Sequence, residues 1–146
     1  MPDPLRYPIR VRYANTDALG VVYNAVYLAW FEIGRTEWLR ARGLPYRDVE
    51  ARGLSLPVTE AFVRFRLAAH YDDLLEIETD LRDVRSRGVT FAYRLLRGDC
   101  CIAEGHTVHA SLNAATGRVI RLPGWLAEAL GFRDRQPSAD QEREGQ

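Results

Sequence analysis

Lysine is absent: all 20 basic residues of the 146-residue chain are arginine. That excludes Schiff-base chemistry, pyridoxal phosphate attachment and any phosphate loop built on its lysine. Cysteine is almost absent. The two present, Cys100 and Cys101, are neighbours that would face opposite sides of an extended strand and could not easily bridge each other. Without a disulfide framework a reducing, cytoplasmic setting is expected, and residues 1–13 hold no apolar run long enough for a signal peptide or a membrane span. Net charge is lacking too, with 20 acidic residues against 20 basic, so no whole-chain field marks a nucleic acid or an anionic membrane as partner. The three histidines do not cluster in sequence: His106 and His109 would face opposite sides of a strand, and His70 falls in a turn. With no HExxH, no paired CxxC and no GxSxG, the expectation is no metal, no redox cofactor and no serine triad of the α/β-hydrolase kind.

What is present suits one globular domain, since 47% hydrophobic and 27% charged residues over this length can bury a single core. We assign that domain to residues 1–132 and a polar, aperiodic, disordered tail to 133–146. Residues 6–13 alternate, with Tyr7, Ile9, Val11 and Tyr13 on the apolar side, which predicts a half-buried strand. After a polar break at 14–24, apolar residues at helical spacing (Tyr27, Trp30, Phe31, Gly34, Trp38) predict a helix over 25–42, with Asn24 as N-cap and Gly43 just past its end. Val26, Leu28 and Ile33 lie outside that stripe, so the helix is expected to be enclosed on more than one side.

A helical turn near 45–52 is followed by four alternating runs. Their inward sets read Ala61, Val63, Phe65, Leu67; then Leu75, Ile77, Thr79, Leu81; then Val89, Phe91, Tyr93, Leu95; the last, over 100–112, is apolar on both faces. The breaks at 69–73, 86–88 and 98–99 are short enough for hairpin or meander turns. Five strands and one long helix predict an α+β domain whose antiparallel sheet wraps the helix and leaves edges that a second copy could cover.

The stretch 13–27 (Tyr-Ala-Asn-Thr-Asp-Ala-Leu-Gly-Val-Val-Tyr-Asn-Ala-Val-Tyr) sets a carboxylate, Asp17, in a loop directly before a buried helix. The first amides of a helix lack intrahelical acceptors and, with the macrodipole, suit an oxygen that gains negative charge, such as that of an attacked thioester. Asp17 could then attack the carbonyl or take a proton from the attacking water, and Gly20 would admit a ligand or a neighbouring chain. The same Thr-Asp-Ala-Leu-Gly run is also ordinary turn chemistry, and spacing alone favours the turn.

The run from Val11 through Asp17-Ala18-Leu19-Gly20-Val21-Val22-Tyr23 and Tyr27-Leu28-Ala29-Trp30-Phe31-Glu32 closely resembles the hotdog-fold acyl-CoA thioesterases of the 4-hydroxybenzoyl-CoA thioesterase/YbgC type. The likeness continues in Tyr71-Asp72-Asp73-Leu74-Leu75-Glu76-Ile77 and Ala103-Glu104-Gly105-His106-Thr107 and spans about residues 6–125. It implies a hotdog fold, a long central helix wrapped by a five-stranded antiparallel sheet, with Asp17 as the catalytic carboxylate and the Asn24 backbone amide polarising the thioester carbonyl. Many family members carry His where Asn24 stands, so only the amide is carried over. The resemblance further implies an active site between two subunits, a homotetramer of hotdog dimers, coenzyme A as part of the substrate rather than a cofactor, and Arg85 and Arg87 at its nucleotide end.

Arginine forks suit phosphates, although two solvated turn residues would look the same. Tyr23 and Gly20 complete the candidate substrate contacts, while Tyr27, Trp30, Phe31 and Trp38 serve equally as acyl pocket or core. One branch of the superfamily takes its carboxylate from the central helix, which would make it Glu32 or Glu37 here; Glu32 and Arg35 have the spacing of a helical ion pair. The expected activity is hydrolysis of a small acyl-CoA thioester. The rivals are a hotdog enoyl-CoA hydratase, which would want an Asp and a His as a pair, and a non-catalytic acyl-CoA-binding or interaction module.

Overall fold

The computed structural model describes residues 3–131, so the tail assigned to 133–146 lies outside the described residues. In chain order the elements are β1 (Leu5–Arg10), a 3₁₀ turn (Tyr13–Asn15), α1 (Val26–Ala41), α2 (Tyr46–Ala51), β2 (Leu54–Ser55), β3 (Val58–Phe65), β4 (Leu74–Arg85), β5 (Gly88–Arg97), β6 (Cys100–Ala110), β7 (Leu112–Asn113) and α3 (Gly124–Ala129). Five strands form one antiparallel sheet in the order β1-β4-β5-β6-β3, and β2 pairs with β7 in a separate two-stranded ladder. The expected plan, one long helix against a five-stranded sheet, is the one observed.

The stripe on α1 packs on the sheet as its spacing predicts: Tyr27, Trp30, Phe31, Gly34 and Trp38 are all buried. Phe31 stacks on Tyr93 of β5 at 4.2 Å between ring centroids, and Trp38 meets Phe91 edge-on at 5.5 Å. Gly34 is required by the close approach of α1 to β4, because a Cβ there would overlap Thr79 Oγ1 and lie 2.9 Å from Ile77 Cγ1. The inward sets of β4 and β5 are buried throughout.

Enclosure of α1 on a second side is not seen. Leu28 and Ile33 are exposed and Val26 is partly so, because the sheet covers one face only. The inward set of β3 needs the same correction. Ala61, Phe65 and Leu67 are exposed and Val63 is half-buried, since β3 is an edge strand with little of α1 above it. Tyr13 leaves strand β1 for the 3₁₀ turn and is exposed, edge-on to Tyr71 at 5.7 Å. In β6, burial alternates more cleanly than its composition suggests, with Ala103, Gly105, Thr107 and His109 buried.

Residues 86–87 and 98–99 are tight hairpin connections, and Gly98 takes φ +61. The break at 69–73 is no hairpin: β3 and β4 are separated by β5 and β6, so residues 66–73 cross from one side of the sheet to the other. Gly43 ends α1 in the left-handed region at φ +75, with Leu44 donating to Leu39 O at 3.1 Å, as expected of a C′ glycine.

Candidate active site

Residues 16–22 fold into a small hairpin ahead of α1. Thr16 pairs with Val22, Asp17 N–H donates to Val21 O at 2.9 Å, and Gly20 N–H donates to Asp17 O at 3.0 Å. Asp17 shapes the turn as well, because its Oδ1 accepts the N–H of Leu19 at 2.9 Å and of Val21 at 3.4 Å. The turn reading is therefore realised, and it leaves Oδ2 without a partner among the described residues on an exposed side chain. Gly20 is needed for its φ of +80; open space surrounds the position where its Cβ would stand.

Asn24 does not cap the helix. The N-cap position is Ala25, already helical at φ −67 and ψ −22, with no side-chain cap. The turn before it is closed by backbone alone, Val26 N–H to Tyr23 O at 3.0 Å and Tyr27 N–H to Asn24 O at 3.3 Å. The N–H groups of Asn24 and Ala25 donate to no acceptor among the described residues, so the start of α1 presents two unbonded donors beside an exposed Tyr23. A hairpin with one uncommitted carboxylate oxygen thus stands at the foot of a helix with free amides.

Arg85 and Arg87 are far from this point within one protomer. They flank the β4–β5 turn, whereas the site hairpin joins the start of β4, where Val11 N–H donates to Asp73 O at 3.0 Å. The 12 residues of β4 separate the two ends, roughly 35 Å at strand rise. Arg85 and Arg87 line a cleft of about 390 Å³ with Thr59 and Thr90, and Arg85 pairs with Asp83 at 2.9 Å.

The aromatic residues Tyr27, Trp30, Phe31 and Trp38 of α1 are buried in the core. The helix acids differ from each other: Glu37 pairs with Arg40 at 3.3 Å, while Glu32 forms no pair with Arg35. Arg35 faces the Tyr93 hydroxyl instead. Glu32, Arg35 and Thr36 line a second cleft, of about 250 Å³, with Tyr46, Val58 and His109. His70 is the histidine that folding brings to the site hairpin, through a backbone bridge to Val21, and its ring makes no hydrogen bond or ion pair with Asp17. Among the described residues no three His, Cys, Asp or Glu side chains gather to hold a metal ion.

Sequence reasoning missed the buried polar chain behind the second cleft. Tyr93 Oη lies 2.6 Å from Thr107 Oγ1, which lies 2.8 Å from His109 Nε2, and His109 Nδ1 is 2.9 Å from Leu56 O. A carbonyl only accepts, so His109 carries its proton on Nδ1; Nε2 then accepts from Thr107, and Thr107 accepts from Tyr93. The available signal was the polar pair Thr107 and His109 recurring at period two on the inward face of β6.

Burial holds the His109 pKa down at about 4, against an ordinary 6.5. The unfolded chain therefore binds a proton here before the folded one does. The contribution is whole above pH 6.5 and is lost as pH falls toward 4, by roughly 3 kcal/mol. Urea titrations at pH 7 and pH 5 are expected to show lower stability at pH 5, and His109→Gln is expected to flatten that dependence; an equal slope in the variant would contradict it.

Comparison with known proteins bears on the family and the fold. Residues 11–130 match the thioesterase-like superfamily. Acyl-CoA thioesterase YbgC of Haemophilus influenzae is 33% identical over 118 residues, covering 80% of this chain and 87% of that protein. The hypothetical protein TT1821 of Thermus thermophilus superposes with a TM-score of 0.83 at 38% identity, covering 87% and 97%. A mutant 4-hydroxybenzoyl-CoA thioesterase bound to 4-hydroxybenzoyl-CoA, 19% identical with a TM-score of 0.81 over 89% and 100%, shares the fold.

Proposed function

The chain belongs to the thioesterase-like superfamily and is a thioester hydrolase, and we propose that it cleaves small acyl-CoA thioesters to the free acid and coenzyme A at the site built around Asp17. The observation that carries the reading is an uncommitted Asp17 oxygen in the hairpin that leads directly into the unbonded Asn24 amide at the start of α1. The thioester carbonyl accepts the Asn24 N–H, which stabilises the oxyanion as the carbon becomes tetrahedral. Asp17 either removes a proton from the attacking water or attacks the carbon itself to give a mixed anhydride that water opens; in both routes the C–S bond breaks and the thiolate leaves as coenzyme A. Gly20 and Tyr23 border the site on the substrate side.

One protomer holds the reacting end of this site and, at the far end of β4, the Arg85–Arg87 turn. The unpaired edge of β3 supports a way to join them. β3 begins beside Thr59 in the Arg87 cleft and ends at Phe65, near the crossing segment that touches the site hairpin. A two-fold antiparallel pairing of β3 edges would set one protomer's Asp17 near its partner's Arg85–Arg87 turn and its cleft of Glu32, Arg35 and Thr36. The exposed Val58, Phe62, Phe65 and Leu67 on and beside that edge support a dimer there, and the exposed Leu28 and Ile33 of α1 support further pairing into a homotetramer. A cleft of about 250 Å³ supports a small acyl group. The two free cysteines support a cytoplasmic setting, and no described helix is long and apolar enough to cross a membrane.

Release of free thiol from acyl-CoAs of graded size tests the reading, with turnover of short or single-ring acyl groups expected; crotonyl-CoA that loses its conjugated double bond without releasing thiol would replace hydrolysis by hydration. Substituting both Arg85 and Arg87 by Ala is expected to raise KM about tenfold with kcat within about twofold, because phosphate contacts are alike in ground and transition states. An unchanged KM would return both to surface turn residues.

A further inference from the structure

The Tyr71-Asp72-Asp73 stretch has no part in the chemistry above, yet residues 68–73 touch both ends of the site hairpin's segment. At its start, Val11 and Asp72 or Asp73 exchange backbone bonds: Val11 N–H to Asp73 O and Asp72 N–H to Val11 O, each at 3.0 Å. At its end, Val22 N–H donates to Ala69 O at 2.9 Å, and Val21 bridges His70. The Ala69 N–H also faces the Tyr27 hydroxyl on the first turn of α1. Val21 is in turn the residue whose carbonyl and N–H bond Asp17. Ala69 is fully buried, so this anchor is not loosened by solvent.

Two arginines hold the strip from the sheet: Arg10 of β1 donates to Asp72 O at 2.8 Å and lies 4.0 Å from its carboxylate, and Arg97 of β5 pairs with Asp73. Asp73 Oδ2 accepts the His70 N–H at 2.9 Å and Arg97 Nη1 at 3.1 Å, and the same Arg97 nitrogen donates to Ala68 O at 3.0 Å. Asp72 sits at φ +68, in the left-handed region that aspartate adopts more readily than most residues with a Cβ. Arg97 comes from the last position of β5, so the brace ties the crossing segment to the rigid centre of the sheet.

We propose that Asp73 and Arg97 are positioning residues for Asp17, fixing the 68–73 strip so that its Ala69 and His70 backbone holds the far arm of the site hairpin in register with the start of α1. The proposal rests on the reading of Asp17 given above. The hydrogen bond from His70, followed by Arg97, keeps the Asp73 carboxyl below its ordinary range, so the brace stays charged through neutral pH. Neither residue need touch the substrate.

The test is steady-state thiol release by Asp73→Asn, Arg97→Ala and the double variant, with kcat corrected for the folded fraction from thermal unfolding. Asparagine keeps an acceptor for His70 N–H and removes only the charge that holds Arg97. Each single variant is expected to lose roughly tenfold to a hundredfold in kcat, since a misplacement of about 1 Å can cost that much, with KM within about twofold. The double variant is expected to be no worse than the worse single, as two halves of one brace should not add, and Arg97→Lys to regain part of the loss. Wild-type kcat in both singles, or a loss that vanishes after correction for unfolded protein, overturns the proposal. Asp17→Asn run beside them separates the two readings: if it is dead while both brace variants are normal, only the brace is wrong; if it turns over normally, the role of Asp17 falls and the brace with it.

Discussion

Asp17→Asn is expected to lower kcat for thiol release by about 10³-fold to 10⁴-fold, the share that a positioned carboxylate contributes as base or nucleophile. The substitution is a clean one for a structural reason. Asp17 Oδ1 accepts the Leu19 and Val21 amides, and an asparagine Oδ1 in the same place accepts both, more weakly, so the hairpin's bonding pattern is kept while the charge is removed. Asp17→Ala would remove both and confuse loss of chemistry with loss of the turn. The oligomer and the melting temperature of Asp17→Asn should match those of the parent chain. Turnover within about threefold of wild type would mean that the carboxylate is a turn former alone.

Phe31→Ala is expected to cost about 3–5 kcal/mol of stability, the range for truncating a fully buried phenylalanine. Phe31 is 0% exposed. Its ring lies flat on Tyr93, and its edge fills the space above Gly105, where a Cβ would come within 2.9 Å of it. No neighbouring side chain on that strand can collapse into the gap, because β6 contributes a glycine there. Against a total stability of roughly 5–15 kcal/mol the loss is large, and chemical denaturation would show it as a lower midpoint. A change below about 1 kcal/mol would mean that α1 does not rest on β5 and β6 as described.

Residues that meet their partners along one face were legible from periodicity. The α1 stripe and the inward sets of β4 and β5 show this, because a helix or strand with one covered side writes that side into its sequence at period 3.6 or 2. The set on β3 has the same alternation and is mostly exposed, since alternation names a face without saying whether anything lies over it. Asn24 illustrates a narrower limit: its residue type suits an N-cap, but backbone bonds from Val26 and Tyr27 close the turn first and move the cap to Ala25.

The site was legible only in its local part. Asp17, Gly20 and the free amides all lie within residues 17–25, and loop chemistry with helix-end physics is enough to set them on one short stretch. The Tyr93–Thr107–His109 chain depends on the pairing of β5 with β6, and the Asp73–Arg97 brace on a crossing segment meeting the end of β5, neither of which a single strand's pattern records. The distance from Asp17 to Arg85 and Arg87 likewise follows from β4 running unbroken between them.

The most direct test is a crystal structure of Asp17→Asn with an uncleaved acyl-CoA bound. The thioester oxygen is expected about 3 Å from the Asn24 nitrogen, with the side chain at position 17 facing the carbonyl carbon. A thioester bound with its carbonyl turned away from that amide, or on a surface remote from position 17 in every subunit pairing, would contradict the proposed site.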